Sequence, residues 1–111
     1  MPRLDFYADY DLFIKIKLAT DDVAIGRSEE CTVQLPDDHV SRVHAVIKSD
    51  GAGHLVEDHS SNGTRVNGDM VEGSQPLLSG DRIYISKFII IYQPDDAPEE
   101  HLDRDLTLMD N

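Results

Sequence analysis

Leu12-Phe13-Ile14-Lys15-Ile16-Lys17-Leu18 alternates four aliphatic residues with an aromatic and two lysines. Side chains in a strand point to opposite faces with a period of two, so this pattern predicts a half-buried β-strand. The same alternation recurs downstream. Val43, Ala45 and Ile47 alternate with His44, Val46 and Lys48, and Ile83 and Ile85 alternate with Arg82, Tyr84 and Ser86. Phe88 to Tyr92 is apolar on both faces, which predicts a central strand or the last strand of a sandwich. Turn-forming clusters separate these runs: Thr20-Asp21-Asp22, Pro36-Asp37-Asp38, Asp50-Gly51-Ala52-Gly53, Ser60-Ser61-Asn62-Gly63, Asn67-Gly68-Asp69 and Ser79-Gly80-Asp81. No stretch of ten residues carries helical periodicity with caps. Many short strands joined by polar turns indicate an all-β antiparallel sandwich or barrel.

The chain has 111 residues, enough for one domain with one core. Its net charge of −12 argues against a general nucleic-acid or anionic-membrane surface, which needs clustered Lys and Arg. No apolar run reaches the roughly 18–20 residues of a membrane span, and the start lacks the apolar stretch of a signal peptide. Cys31 is the sole cysteine, so an intramolecular disulfide is excluded and a reducing, cytoplasmic setting is expected. From Pro94 the composition changes. Asp95, Asp96, Glu99, Glu100, Asp103, Asp105 and Asp110 face only one base, Arg104. Such a stretch buries little against its ordering entropy, so residues 1–93 are expected to form the domain and 94–111 a disordered acidic tail or linker. Leu102, Leu106 and Met109 would align if a short docking helix formed there.

Three clusters are rich in groups that bind anions. They are Ile25-Gly26-Arg27-Ser28, Val40-Ser41-Arg42-Val43-His44-Ala45 and Ser60-Ser61-Asn62-Gly63-Thr64-Arg65-Val66-Asn67-Gly68; Leu78-Ser79-Gly80-Asp81-Arg82-Ile83 follows as a turn into a strand. A phosphorylated threonine carries about −1.5 to −2 charge and three acceptor oxygens. Fixed guanidinium groups, short hydroxyls and backbone N–H groups are what such a ligand needs, and loops on a rigid sandwich could hold them together.

In order and spacing these clusters resemble the forkhead-associated (FHA) domain over about residues 12–92. The resemblance implies a sandwich of two largely antiparallel sheets, about ten or eleven short strands, with the termini close together and ligand loops at one end. It implies phosphothreonine-dependent recognition of a partner protein downstream of a Ser/Thr kinase. By the same resemblance Arg27 and Ser41 contact the phosphate, Arg42 and Ser61 occupy matching contact positions, and Asn62 bonds the peptide backbone. The loop from Pro36 to His39 reads residues after the phosphosite, with His39 at the contact position. Gly26 and Gly63 answer backbone requirements, and His44 braces the loops. No cofactor or metal is expected: the five histidines lack metal-ligand spacing. Cys31, beside Glu29 and Glu30, is expected to be a small strand residue without a reactive thiolate.

Two other functions compete. One is a phosphate-independent interaction scaffold or regulatory domain working through a lateral sheet surface; Arg27, Ser41 and Asn62 occurring together argue against it. The other is a hydrolase using Ser41, His44 and Asp58, for which no oxyanion-hole motif is present. The net charge leads one to expect that basic residues in a partner peptide are tolerated or favoured. Thr107, in Asp-Leu-Thr-Leu-Met-Asp, is a possible phosphosite through which the tail would occupy a binding site.

Overall fold

A computed structural model describes residues 1–100 and 102, and within them the chain is all β. Eleven strands follow in order: β1 Pro2–Ala8, β2 Asp11–Lys17, β3 Val23–Gly26, β4 Val33–Gln34, β5 Ala45–Ser49, β6 His54–Asp58, β7 Arg65–Val66, β8 Asp69–Met70, β9 Ser74–Pro76, β10 Arg82–Ile85 and β11 Phe88–Pro94. A six-stranded sheet has the order β2-β1-β11-β10-β7-β8 and a five-stranded sheet the order β4-β3-β5-β6-β9. All pairings are antiparallel except β3 with β4. Leu4, Phe6, Ile25, Ile47, Val56, Ile83 and Ile90 fill the space between the sheets, each fully buried. Among the described residues no helix is long and apolar enough to cross a membrane.

The predicted strand at 83–85 and the two-faced strand at 88–92 lie where the alternation put them. β11 is central, paired with β1 on one side and β10 on the other. The Leu12–Leu18 pattern forms β2, but at the sheet edge, where Ile14 is exposed and Leu12 and Ile16 are only half-buried. A register shift opposite Phe6 and Tyr7 bends this edge, a common device against further strand pairing. Phe13 there packs edge-on against Phe6 and Phe88.

β1 is the strand that composition concealed. Its inner face is Leu4 and Phe6, and its outer face is Arg3, Asp5 and Tyr7, all buried. Asp5 accepts from Arg3 Nε at 2.8 Å, Arg3 Nη2 at 3.0 Å and Gln93 Nε2 at 2.6 Å. A buried charge pair is tolerated when its polar atoms are all bonded in this way. The cover on this outer face is the acidic segment after β11. Asp95 N–H donates to Met1 O, Arg3 donates to the carbonyls of Pro94 and Asp95, and Tyr7 Oη donates to Glu100 O at 2.6 Å. Lys15 pairs with Glu99, Lys17 with Asp95 and Arg82 with Glu100. Residues 95–100 therefore double back over the six-stranded sheet. Thr107, Leu106 and Met109 lie outside the described residues.

Strand directions sort the connections. β3, β6 and β10 end, and β5, β7 and β11 begin, at one end of the sandwich, as the partners Ile25↔Ala45, Ala45↔Asp58, Tyr84↔Arg65 and Ile85↔Phe88 require. Connections 27–32, 35–44, 59–64 and 86–87 thus share that end. The start of β1 and the end of β11 meet at the other, where Pro2 pairs with Pro94.

Candidate functional site

His44 lies at the centre of the loop end, fully buried just before β5. Its Nδ1 accepts the Ser41 backbone N–H at 3.0 Å, and its Nε2 lies 3.0 Å from the Gly63 carbonyl. An N–H donor to Nδ1 and a carbonyl at Nε2 fix one neutral tautomer, with the proton on Nε2. Its backbone donates to Ile25 O and accepts from His59 N–H. One side chain thus joins the β4–β5 loop to the β6–β7 loop. Neither ring nitrogen is left to serve as a base for Ser41, so the pair gives a hydrolase no geometric support.

Gly26 lets the loops at this end close. A Cβ there would overlap the Arg42 carbonyl and lie 3.0 Å from His44 N, so backbone occupies the space a side chain needs. The close approach lets Arg27 N–H reach Ser41 O at 2.9 Å and Ser28 N–H reach Arg42 O at 3.1 Å. Arg27 Nε donates to Val40 O at 3.0 Å, which anchors the exposed side chain at one corner and leaves its two terminal amino groups without a bonded partner among the described residues. Ser41 Oγ accepts the Ser61 N–H at 3.0 Å, so its own proton is free to be donated. Asn62 Nδ2 donates to His39 O at 2.9 Å. Arg27, Ser41, Ser61, Asn62, His39, His44 and Gly63, predicted from separate stretches, thus form one bonded group. Arg42 is exposed beside them, and its guanidinium has no bonded partner among the described residues. Gly63 has φ +101°, a conformation that favours glycine.

Two carboxylates brace the loops and were not assigned that role from sequence. Asp58 Oδ1 accepts from Ser60 N–H, Ser60 Oγ and Thr64 Oγ1, and Ser60 Oγ in turn accepts the Gly63 N–H at 2.7 Å. Burial works to raise the Asp58 pKa, but the Ser60 and Thr64 bonds prevail and hold it below the ordinary carboxylate value. Asp37 accepts the His39 backbone N–H at 2.8 Å and reaches Ser86 Oγ and Lys87 Nζ across the sandwich end. The His39 N–H is the main cause of its lowered pKa. Asp-x-His and Asp-x-Ser are side-chain turn signals, legible as turns but silent about what they brace. Cys31 corrects an expectation: it lies in the β3–β4 loop, not in a strand, and its Sγ donates to Arg42 O at 3.2 Å. Burial raises its thiol pKa, consistent with an inert cysteine.

Beside Asn62 and His39 a cleft of about 370 Å³ opens onto the six-stranded sheet, with Arg65, Met70, Tyr84 and Ser86 on its other walls. Among the described residues no cluster of His, Cys, Asp and Glu could hold a metal ion.

The FHA domain profile matches residues 23–86, more than half of the chain. This chain belongs to the FHA-domain family. The FHA domain described here is 31% identical over 88 residues to the probable serine/threonine-protein kinase fhkA of Dictyostelium discoideum. It is 43% identical over 68 residues to the FHA domain-containing protein FhaA of Mycobacterium tuberculosis. Those matches cover 69% and 60% of this chain but only 15% and 13% of the two proteins, so the chain spans a small part of either. In three dimensions it resembles the FhaA FHA domain crystallised with the intracellular domain of another protein. The TM-score is 0.74 and the identity 33%, covering 84% of this chain and all of that one.

Proposed function

We propose that this FHA domain is a phosphothreonine-dependent protein-recognition module acting in Ser/Thr kinase signalling, a binder and not a catalyst. The observation that carries the reading is the Arg27–Ser41–Ser61–Asn62 group, assembled from three loops and locked by His44. In this reading Arg27 offers the two unbonded amino groups of its fork to two phosphate oxygens, Ser41 donates its free proton, and the Ser61 hydroxyl and Arg42 add donors from the adjoining loops. Asn62 holds one amide hydrogen and its carbonyl available for the ligand backbone. Threonine is favoured over serine by the burial of one methyl, worth about 0.8 kcal/mol. A cytoplasmic setting goes with this reading, and a lone cysteine with no disulfide partner among the described residues supports it.

The test is a fluorescence-polarisation titration of a degenerate phosphothreonine peptide pool and its unphosphorylated twin. Wild type and Arg27→Ala are compared. Charge-assisted hydrogen bonds contribute about 1.5–3 kcal/mol each, so losing the two that Arg27 offers should cost the variant at least about a hundredfold in affinity. Equal binding of both pools by folded wild type would replace this reading with a phosphate-independent scaffold.

A further inference from the structure

Cations in this chain are distributed unevenly. Arg3, Lys15, Lys17, Lys48, Arg82 and Lys87 each face a carboxylate. Among the described residues Arg27, Arg42 and Arg65 do not, and all three lie at the loop end. Arg27 and Arg42 belong to the phosphate loops. Arg65 does not. It starts β7 on the outer face of the six-stranded sheet, with Met70 of β8 as its cross-strand neighbour on one side and Tyr84 of β10 on the other. This row lines the cleft that begins at Asn62 and His39 and leads down onto the sheet.

The same face already shows what a guanidinium does there. Arg82 shares Tyr84's outward face two residues along β10, and it holds the Glu100 carboxylate at 2.8 Å. Arg65 is exposed on the same face without an acid. Met70, 46% exposed, and the half-buried Tyr84 supply apolar walls for an aliphatic stem, while the guanidinium supplies the charge at its tip.

The geometry points to Arg65 as a specificity residue. The Met70–Arg65–Tyr84 row takes an acidic side chain of the phosphopeptide where the peptide leaves Asn62 and crosses onto the sheet. This rests on the phosphothreonine-binding reading above. It runs against the preference for basic flanks that the net charge suggests: surface charges farther than about 8–10 Å are largely screened at physiological salt, whereas a guanidinium in contact is not.

The test is an arrayed set of phosphothreonine peptides in which Glu, Gln and Lys are placed in turn at each flanking position. Each peptide has an unphosphorylated twin, and the proteins are wild type, Arg65→Gln and Arg65→Glu, with folding checked by circular dichroism. Wild type should prefer Glu over Gln by about fivefold at one position, the upper range for an exposed ion pair. Arg65→Gln should erase that preference, and Arg65→Glu should turn it into a preference for Lys. An unchanged flanking profile in both variants overturns the assignment, as does a wild type that favours Lys throughout, while phosphate-dependent binding keeps the functional reading intact. Equal binding of the unphosphorylated twins overturns both.

Discussion

Replacing His44 with leucine tests whether the binding loops are braced from below. The side chain is fully buried, and leucine fills a similar volume without ring nitrogens. The Ser41 N–H and the Gly63 carbonyl each lose their partner. Leaving a buried polar group unpaired costs about 1–3 kcal/mol, so the two together should cost about 2–4 kcal/mol once some relaxation is allowed. That is a large share of the roughly 5–15 kcal/mol expected for a domain, equivalent to about 10–20 °C in Tm. The loops would seek water, carrying Ser41 and Gly63 apart, and phosphopeptide affinity should fall at least tenfold. His54→Leu is the control. His54 Nδ1 accepts from the Tyr92 hydroxyl at 3.1 Å, and Nε2 donates to Ala19 O at 3.0 Å, at the opposite end of the sandwich. Its stability loss should be similar, yet peptide binding by the folded fraction should be unchanged. Urea denaturation and polarisation with one phosphothreonine peptide read both quantities. A His44→Leu protein within about 1 kcal/mol of wild type that binds peptide with unaltered Kd would refute the bracing argument.

Acid should loosen the loop end before the rest. Asp37 and Asp58 have lowered folded pKa values, so their contribution is complete above the ordinary carboxylate value of about 3.9 and drains away as pH falls through the lowered values. Urea titrations from pH 6 to pH 2 should show wild type losing its advantage over Asp58→Asn in that range; parallel curves throughout would remove Asp58 as a brace. Stability is the readout because the ligand phosphate itself gains a proton near pH 6. Removing residues 95–111 should uncover Tyr7 and cost about 1.5–3 kcal/mol, the worth of one large buried side chain, with tyrosine emission more open to acrylamide quenching. A chain ending at Pro94 with unaltered stability would show that the acidic segment merely rests on the sheet.

Alternation was informative at Ile83–Ile85 and Phe88–Tyr92, and for Ala45–Ile47, but not at Val43 and His44, where the first is exposed in the loop and the second fully buried. It failed at β1, where Arg3 and Asp5 look like surface residues because their burial depends on a segment more than 90 positions away. That segment in turn looks like a solvated tail because its acids pair with Lys15 and Lys17 of β2 and Arg82 of β10, while Arg3 of β1 holds its backbone carbonyls. Each hides the other from any local pattern. The site divides in the same way. Arg27, Ser41, His44 and Asn62 are legible as candidates through the resemblance of their motifs to the family's, and bonds between loops bring them together. Arg65 lies in the most conspicuous motif of the chain, yet its setting comes from cross-strand register with Tyr84 and Met70, which spacing alone does not encode.

The acidic surplus then has a physical role in recognition. Among the described residues six cations are neutralised by nearby carboxylates, and the open guanidinium groups lie at one end of the domain. On the proposed function, a dianionic phosphate would meet repulsion over most of the surface and attraction at the loops, which would favour the correct approach and penalise others. The loops need little ordering on contact, because Arg27 is tied to Val40, Ser41 to Ser61 and Asn62 to His39 before a ligand arrives. Binding energy then goes into holding the phosphate, with less lost to loop entropy. A net charge of −12 and an anion-binding site are therefore compatible, since the first acts at long range through salt and the second at contact.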